Sequence, residues 1–288
     1  MNSICLFASY FNGNDLPYYI TVYLKELKKH FKELVLITSQ KDFSTISLNF
    51  LNVEGIKLQI EENKGFDFGL WYRALQQIDT SNYDQLILVN DSCVLFKPLD
   101  ELMIWSAKDS SDFQGITSSE AISPHIQSYF LIFKKSAISN VLNYFEQHGV
   151  LEKISDVIQT YEVGLSTYLL SKGLKMSSYI DNNGYTGEFS PYYQCIDYHL
   201  LNGIPVIKKK ILFASYRPDE LFTLARMNFN IDEKYYIHQI TSITKNLILD
   251  FALLKNLEDN SLSGFQKIKY RVYSLVIFLL KPLYKRIK

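Results

Sequence analysis

Three stretches, "SICLFASY" (3–10), "ELVLITS" (33–39) and "YDQLILVN" (83–90), are nearly unbroken apolar runs rich in strand formers. A strand with one wet face alternates apolar and polar residues. Runs without alternation belong to strands covered on both faces. Between the first two lies "LPYYITVYLKELKKHF", with Leu24, Leu27 and Phe31 on one helical face and Asp15 before it as a candidate N-cap. "GIKLQIEEN" reads as a further strand, and a helix from about Phe68 to Gln77 leads into "YDQLILVN". The order β-α-β-(α)-β-α-β predicts an α/β fold with a mainly parallel sheet and helices on both faces.

The second half is less regular. "SDFQGIT", "IQSYFLIF" and "LKMSSYID" read as strands. "KSAISNVLNYFEQ" and "TYEVGLSTYLLSKG" read as helices, the second stopped by Gly173. No repeat and no Pro/Gly/Ser linker divides the chain. The expected organisation is one domain over 1–245 and a helical tail over 246–288.

The 288 residues carry equal numbers of basic and acidic groups, 30 each, which gives no electrostatic case for a nucleic-acid partner. The balance hides an asymmetry. From Leu262 to Lys288 there are seven Lys or Arg and no acidic residue, so the remainder is net −7. Val272–Leu280 is an apolar run between the basic clusters, too short to span a bilayer. This tail is expected to be a basic amphipathic helix from about 262, docking on an anionic membrane surface; a helix docking on a partner subunit is the rival reading. Cys5, Cys93 and Cys195 have no spacing that suggests disulfides or zinc. The start "MNSICLFASYFNGND" lacks the basic and apolar regions of a signal peptide, so a cytoplasmic location is expected, peripheral at the inner face of the plasma membrane.

In an open parallel sheet, ligands sit beyond the carboxyl ends of the strands. Two features fall there. Gly65 and Gly69 bracket the start of a helix, where free amides and the helix dipole receive an anion, and Asp67 between them can accept from a ribose or base. Asn90-Asp91-Ser92 ends the next strand, where a carboxylate beside an anion site can hold a divalent cation such as Mg²⁺ or Mn²⁺. The plainer alternative is that Asp67 caps the helix and Asp91 opens a turn.

"ENKGFDFGLWYRAL" followed by "YDQLILVNDS" resembles the GT-A nucleotide-sugar glycosyltransferases, in which a glycine turn and helix lead to a strand with an acidic end. The chain more closely resembles the rhamnan synthesis protein F family. The co-linear motifs are "NKGFDFG", "NDSCVLFKPL", "SDFQGIT", "HIQSYF" and "YEVGL", over roughly residues 1–215. The resemblance implies a GT-A-like, Rossmann-like fold. It also implies transfer of a sugar such as rhamnose from a nucleotide-sugar donor to a growing, lipid-linked bacterial polysaccharide of the capsule, O-antigen or rhamnan kind. Asn63, Gly65, Asp67, Gly69, Asn90, Asp91 and Ser92 would then bind the donor. The usual Asp-x-Asp is reduced here to the single Asp91, so metal dependence stays open.

Inverting transfer needs a base near the acceptor hydroxyl. Glu162 stands where related enzymes carry a Glu-Asp motif and is the candidate, against a reading as a first-turn helix residue; Glu120 and Asp112 are weaker rivals. Thr117, Gln127 and Ser128 are candidate acceptor partners. Gln127 and Ser128 point opposite ways along a strand, and Gln127 is favoured. Of Lys208, Lys209 and Lys210, the resemblance favours Lys208 for the diphosphate. His238 in "YYIHQI" is a candidate metal ligand by analogy with a late histidine in some GT-A enzymes, against a structural role. Two other functions stay open: nucleotidyl transfer, and a non-catalytic scaffold or nucleotide-sugar-binding subunit.

Overall fold

The computed structural model describes residues 2–181, 199 and 202–209. The chain runs β1 (Ser3–Ser9), α1 (Tyr18–His30), β2 (Glu33–Thr38), α2 (Thr45–Val53), β3 (Lys57–Ile60), α3 (Phe66–Leu75) and β4 (Gln85–Asn90). It continues through β5 (Cys93–Leu95), α4 (Asp100–Lys108), β6 (Phe113–Ser119), β7 (His125–Ile126), β8 (Phe130–Lys134) and α5 (Lys135–His148). Then come α6 (Ile154–Val157), a π-helical turn over Ile158–Gly164, α7 (Leu165–Ser171), β9 (Met176–Ile180) and β10 (Val206–Lys208).

The sheet order is β3-β2-β1-β4-β8-β6-β7, with β9 also on β6. Strands β3, β2, β1 and β4 are mutually parallel, β8 is antiparallel to β4 and β6, and β9 is parallel to β6. The fold is therefore α/β with a mainly parallel sheet. Side chains alternate across each strand, and in the inner strands both faces are apolar. Phe7, Leu36 and Ile87 join one core with Tyr23, Phe96 and Leu102. Their neighbours Leu6, Ile37 and Leu88 join the other with Trp71, Phe145 and Tyr161. Helices α1 and α4 cover the first face; α3, α5 and α7 cover the second.

Several expectations are corrected in detail. Asp15 does not cap α1: the cap position is Pro17, which has no N–H to leave unsatisfied, and Asp15 accepts from Ser44 Oγ instead. Helix α3 begins at Phe66, two residues early, directly after Gly65 turns at φ 79°. "IQSYFLIF" is not one strand. It breaks into β7 and β8 because Gln127 N donates back to Thr117 O while Tyr129 O receives Asn90 N. "TYEVGLSTYLL" is helical, but its first part is π rather than α. Helix α4 and strand β5 were not foreseen. The boundary at 245, the tail 246–288 and His238 lie outside the described residues. Among the described residues, no helix is long and apolar enough to cross a membrane.

Candidate functional site

Strands β1 and β4 end together. Ala8 stands opposite Asn90, and Asp91 N donates to Ala8 O at 3.1 Å, so Ser9 and Asp91 meet at the carboxyl edge. Asp91 is only 7% exposed. Its Oδ2 accepts from Ser9 Oγ at 3.0 Å and from Tyr19 Oη at 3.1 Å, and lies 3.2 Å from Lys209 Nζ. Burial, then the Asp91 charge, hold the Tyr19 phenol far above its usual range. It stays protonated and donates to Asp91, while accepting from Lys209 Nζ at 3.1 Å.

The lysine comes from a two-stranded ribbon. β10 pairs antiparallel with β5, with Lys208 opposite Cys93, and Lys209 N donates to Ser92 O at 2.8 Å. Successive residues face opposite ways. Lys209 Nζ lies 4.9 Å from the Tyr19 ring centre, and Lys208 Nζ lies 5.3 Å from that of Tyr129. The lysine at Asp91 is thus Lys209, while Lys208, expected at the diphosphate, lies over Tyr129.

Asn90 joins the second feature. Its Nδ2 donates to Asp67 Oδ2 at 2.7 Å, and its Oδ1 accepts from Ser92 N at 3.1 Å and Ser92 Oγ at 2.6 Å. Asp67 lies in the first turn of α3. The turn before it is compact: a Cβ on Gly65 would lie 2.6 Å from Val150 Cγ1, and one on Gly69 would lie 2.0 Å from Lys64 O. Arg73 Nη2 donates to Lys64 O at 2.7 Å and also to Glu62 O, holding the loop. Asn63 is exposed on it.

Glu162 projects from the π-helical turn. Such turns place a side chain off the α-helical register and recur at functional sites. Tyr161 stacks on Phe68 with ring centres 4.9 Å apart and planes within 11°, which docks Glu162's turn against the helix carrying Asp67. Burial raises the Asp67 carboxyl to about 7; the charges of Asp91 and Glu162 add to the rise, and Lys209 and the Asn90 bond oppose it. The unfolded chain loses this proton near pH 4, whereas the folded chain keeps it to near pH 7. Between those values the unfolded state binds fewer protons, so this group makes stability fall as pH rises. Asp67→Asn keeps an acceptor for Asn90 and removes the charge. Its melting temperature should match the parent near pH 4 and exceed it near pH 8. Equal offsets at both pH values would mean that Asp67 titrates normally.

Glu162 shares a small cleft with Ser128, Ser166, Phe113 and Ile126. Gln127 and Thr117 lie elsewhere: both are buried, and Thr117 Oγ1 donates to Gln127 Oε1 at 2.8 Å and lies 2.7 Å from Tyr129 Oη. It is therefore Ser128, not the favoured Gln127, that faces Glu162's cleft. Asp112 is occupied structurally, accepting from Lys175 N at 2.8 Å, and Glu120 is exposed beyond β6. Ser9 and Tyr19 are not singled out by the sequence, and Lys209 only as one of three candidate lysines. Ser9 was findable, because it ends an apolar strand as Asp91 does; Tyr19 and Lys209 depend on packing and register.

Three donors already converge on Asp91 Oδ2 and Asn90 Oδ1 is taken by Ser92, so a metal would be left with Oδ1 of Asp91 and would sit beside the Lys209 ammonium. Among the described residues this is a poor fit for a divalent cation, with one carboxylate oxygen as ligand and an ammonium beside it. Elsewhere, Glu26, His30 and Asp100 bring ligand atoms within 4.8 Å of one another, but Glu26 is already bonded to Leu99 N, Lys29 and His30.

The protein thus has a mainly parallel sheet with helices on both faces and polar side chains gathered at its carboxyl edge. The chain belongs to the rhamnan synthesis protein F family, which matches residues 49–272. It is also similar to the virulence protein VirA of Vibrio anguillarum, 33% identical over 124 residues, and covers about 40% of that relative's length and 40% of its own. Among solved structures it is similar to the mannosyltransferase PcManGT of Pyrobaculum calidifontis in complex with GDP-Man and Mn²⁺, at TM-score 0.40 and 10% identity, over 96% of this chain and 87% of that one. A cytidylyltransferase of Leptospira borgpetersenii matches at TM-score 0.40 and 13% identity, over 85% of this chain and 95% of that one. Both are distant likenesses and assign no activity.

Proposed function

We propose that this protein transfers a sugar, rhamnose or a similar hexose, from a nucleotide-sugar donor to a growing bacterial surface polysaccharide, with inversion. Family membership supports the class. The observation that carries the reading is that Asn90 at the end of β4 ties Asp67 to the strand end that bears Asp91, while the stack of Tyr161 on Phe68 docks the turn of Glu162 against the helix of Asp67. Asp67 receives the donor's ribose or base, and the first amides of α3 face its phosphates. The acceptor hydroxyl oxygen attacks the anomeric carbon as its proton passes to the Glu162 carboxylate. The bond from that carbon to the diphosphate oxygen breaks, and its electron pair leaves with the nucleoside diphosphate. Incubation with a panel of nucleotide sugars and a short glycan acceptor tests this. Free nucleoside diphosphate with an extended glycan is expected. Pyrophosphate release would instead identify a nucleotidyltransferase, and binding without turnover a scaffold.

The acceptor is lipid-linked in this reading, and the basic segment 262–288 holds the protein to anionic lipid. Truncation after Ser261 should abolish pelleting with phosphatidylserine vesicles and spare transfer to a soluble acceptor. Pelleting that survives truncation would place the anchor elsewhere.

A further inference from the structure

We infer that Lys209 supplies, from the chain itself, the positive charge that a divalent cation supplies in metal-dependent transferases, so that transfer proceeds without metal. The inference rests on the transfer reading above. Its evidence is the way the edge is already filled. Lys209 Nζ is 3.2 Å from Asp91 Oδ2 and 3.1 Å from Tyr19 Oη, with its side chain 20% exposed. An ammonium on a side chain so largely buried acts through a lower dielectric than water. Asp91 is the acidic residue at the end of β4, where a metal would be sought, and its Oδ2 is saturated by Ser9, Tyr19 and Lys209. A dication on Oδ2 would have to displace these donors, and one on Oδ1 of the same carboxylate would still face the ammonium 3.2 Å from Oδ2.

The ribbon makes the placement rigid. Among the described residues β10 pairs with β5, the short strand just after Asp91, rather than with the main sheet, and the bond from Lys209 N to Ser92 O ends that pairing beside the carboxylate. Asp91 thus orients Lys209 rather than binding metal. Ser9 and Tyr19 fix the carboxylate, the carboxylate fixes the ammonium, and the ammonium meets the diphosphate as negative charge builds on the departing oxygen. A charge already in position needs no reorganisation during the reaction. Lys209 is also close enough to counter the rise in the Asp67 carboxyl, so it acts on both halves of the site.

The test uses the full-length protein, the best donor from the panel, and three arms. Turnover in excess EDTA should lie within about twofold of turnover in Mn²⁺. The electron paramagnetic resonance signal of free Mn²⁺ should be undiminished by an equimolar amount of protein, with or without nucleoside diphosphate. Lys209→Met should lower kcat/KM by about 10²–10³-fold, as loss of one positioned donor does, and Lys209→Arg should restore part of it. Turnover present in Mn²⁺ and abolished by EDTA would overturn the inference and leave sugar transfer standing. Tight Mn²⁺ binding would overturn it equally. No turnover of any nucleotide sugar in either buffer would overturn both. Should Lys209→Met fail to fold, the EDTA and Mn²⁺ arms decide alone.

Discussion

Replacing Glu162 by glutamine is expected to lower kcat at least about a hundredfold while the fold and donor affinity stay near those of the parent, because a positioned base contributes on the order of 10²–10⁴ in rate. Glutamine keeps the size of the side chain and its hydrogen-bonding reach; only the capacity to take a proton is lost. The proposed donor contacts lie on α3 and at or directly after the ends of β4 and β10, and residue 162 is on none of these. A separation of kcat from donor affinity is therefore specific to the base reading. The π-helical turn sharpens it. Tyr161 and Val163 on either side are buried, and Tyr161 is held by its stack on Phe68, so the turn stays in place when residue 162 changes. A loss of only a few-fold would return Glu162 to the role of a polar residue at the rim of a hydrophobic cleft. A matched loss of donor affinity would make it a binding residue.

The fold was readable because its signal is periodic and local. Leu6 with Phe7, and Ile87 with Leu88, are adjacent apolar residues that only a sheet covered on both faces accommodates. The strand-end argument likewise drew attention to Asp91, because a carboxylate after a buried run is visible without knowing what lies beside it, whereas Asp67 follows the exposed β3 and stands out only by the glycines that bracket it. What pairs with what was less legible. Lys208 and Lys209 are identical in sequence terms, and which one meets Asp91 depends on the register of β10 against β5, where a slip of one residue exchanges the faces. The same parity problem separates Gln127 from Ser128. The pattern of the segment containing them predicts one regular strand, but the chain breaks between β7 and β8, and that break turns Gln127 inward onto Thr117. The π-helical turn has no marker of its own in the sequence. Gly164 is consistent with it in retrospect, since a Cβ there would lie 2.5 Å from Tyr144 Oη and 3.0 Å from Gln159 O.

Gly69→Ala should destabilise the protein by about 2–4 kcal/mol, although helix propensity alone predicts a gain of about 1 kcal/mol from alanine at a helical glycine. The two effects oppose each other, and geometry decides between them. Gly69 N donates to Gly65 O at 2.7 Å, which closes the first turn of α3 onto the loop. A Cβ at Gly69 would stand 2.0 Å from Lys64 O and 2.9 Å from Lys64 C, and these are backbone atoms that no rotamer change can move aside. Relief requires moving Lys64, whose carbonyl is held by Arg73 Nη2 at 2.7 Å, or moving the start of α3 itself. Either shift carries Asp67 away from Asn90 Nδ2, now 2.7 Å distant, and misaligns the helix amides with the proposed diphosphate site. The urea midpoint should fall with the m-value unchanged, and donor affinity should fall with it. A midpoint equal to or above that of the parent would show that the turn opens at little cost, and the close packing of Gly65 and Gly69 could then no longer be what aims Asp67 at the edge of the sheet.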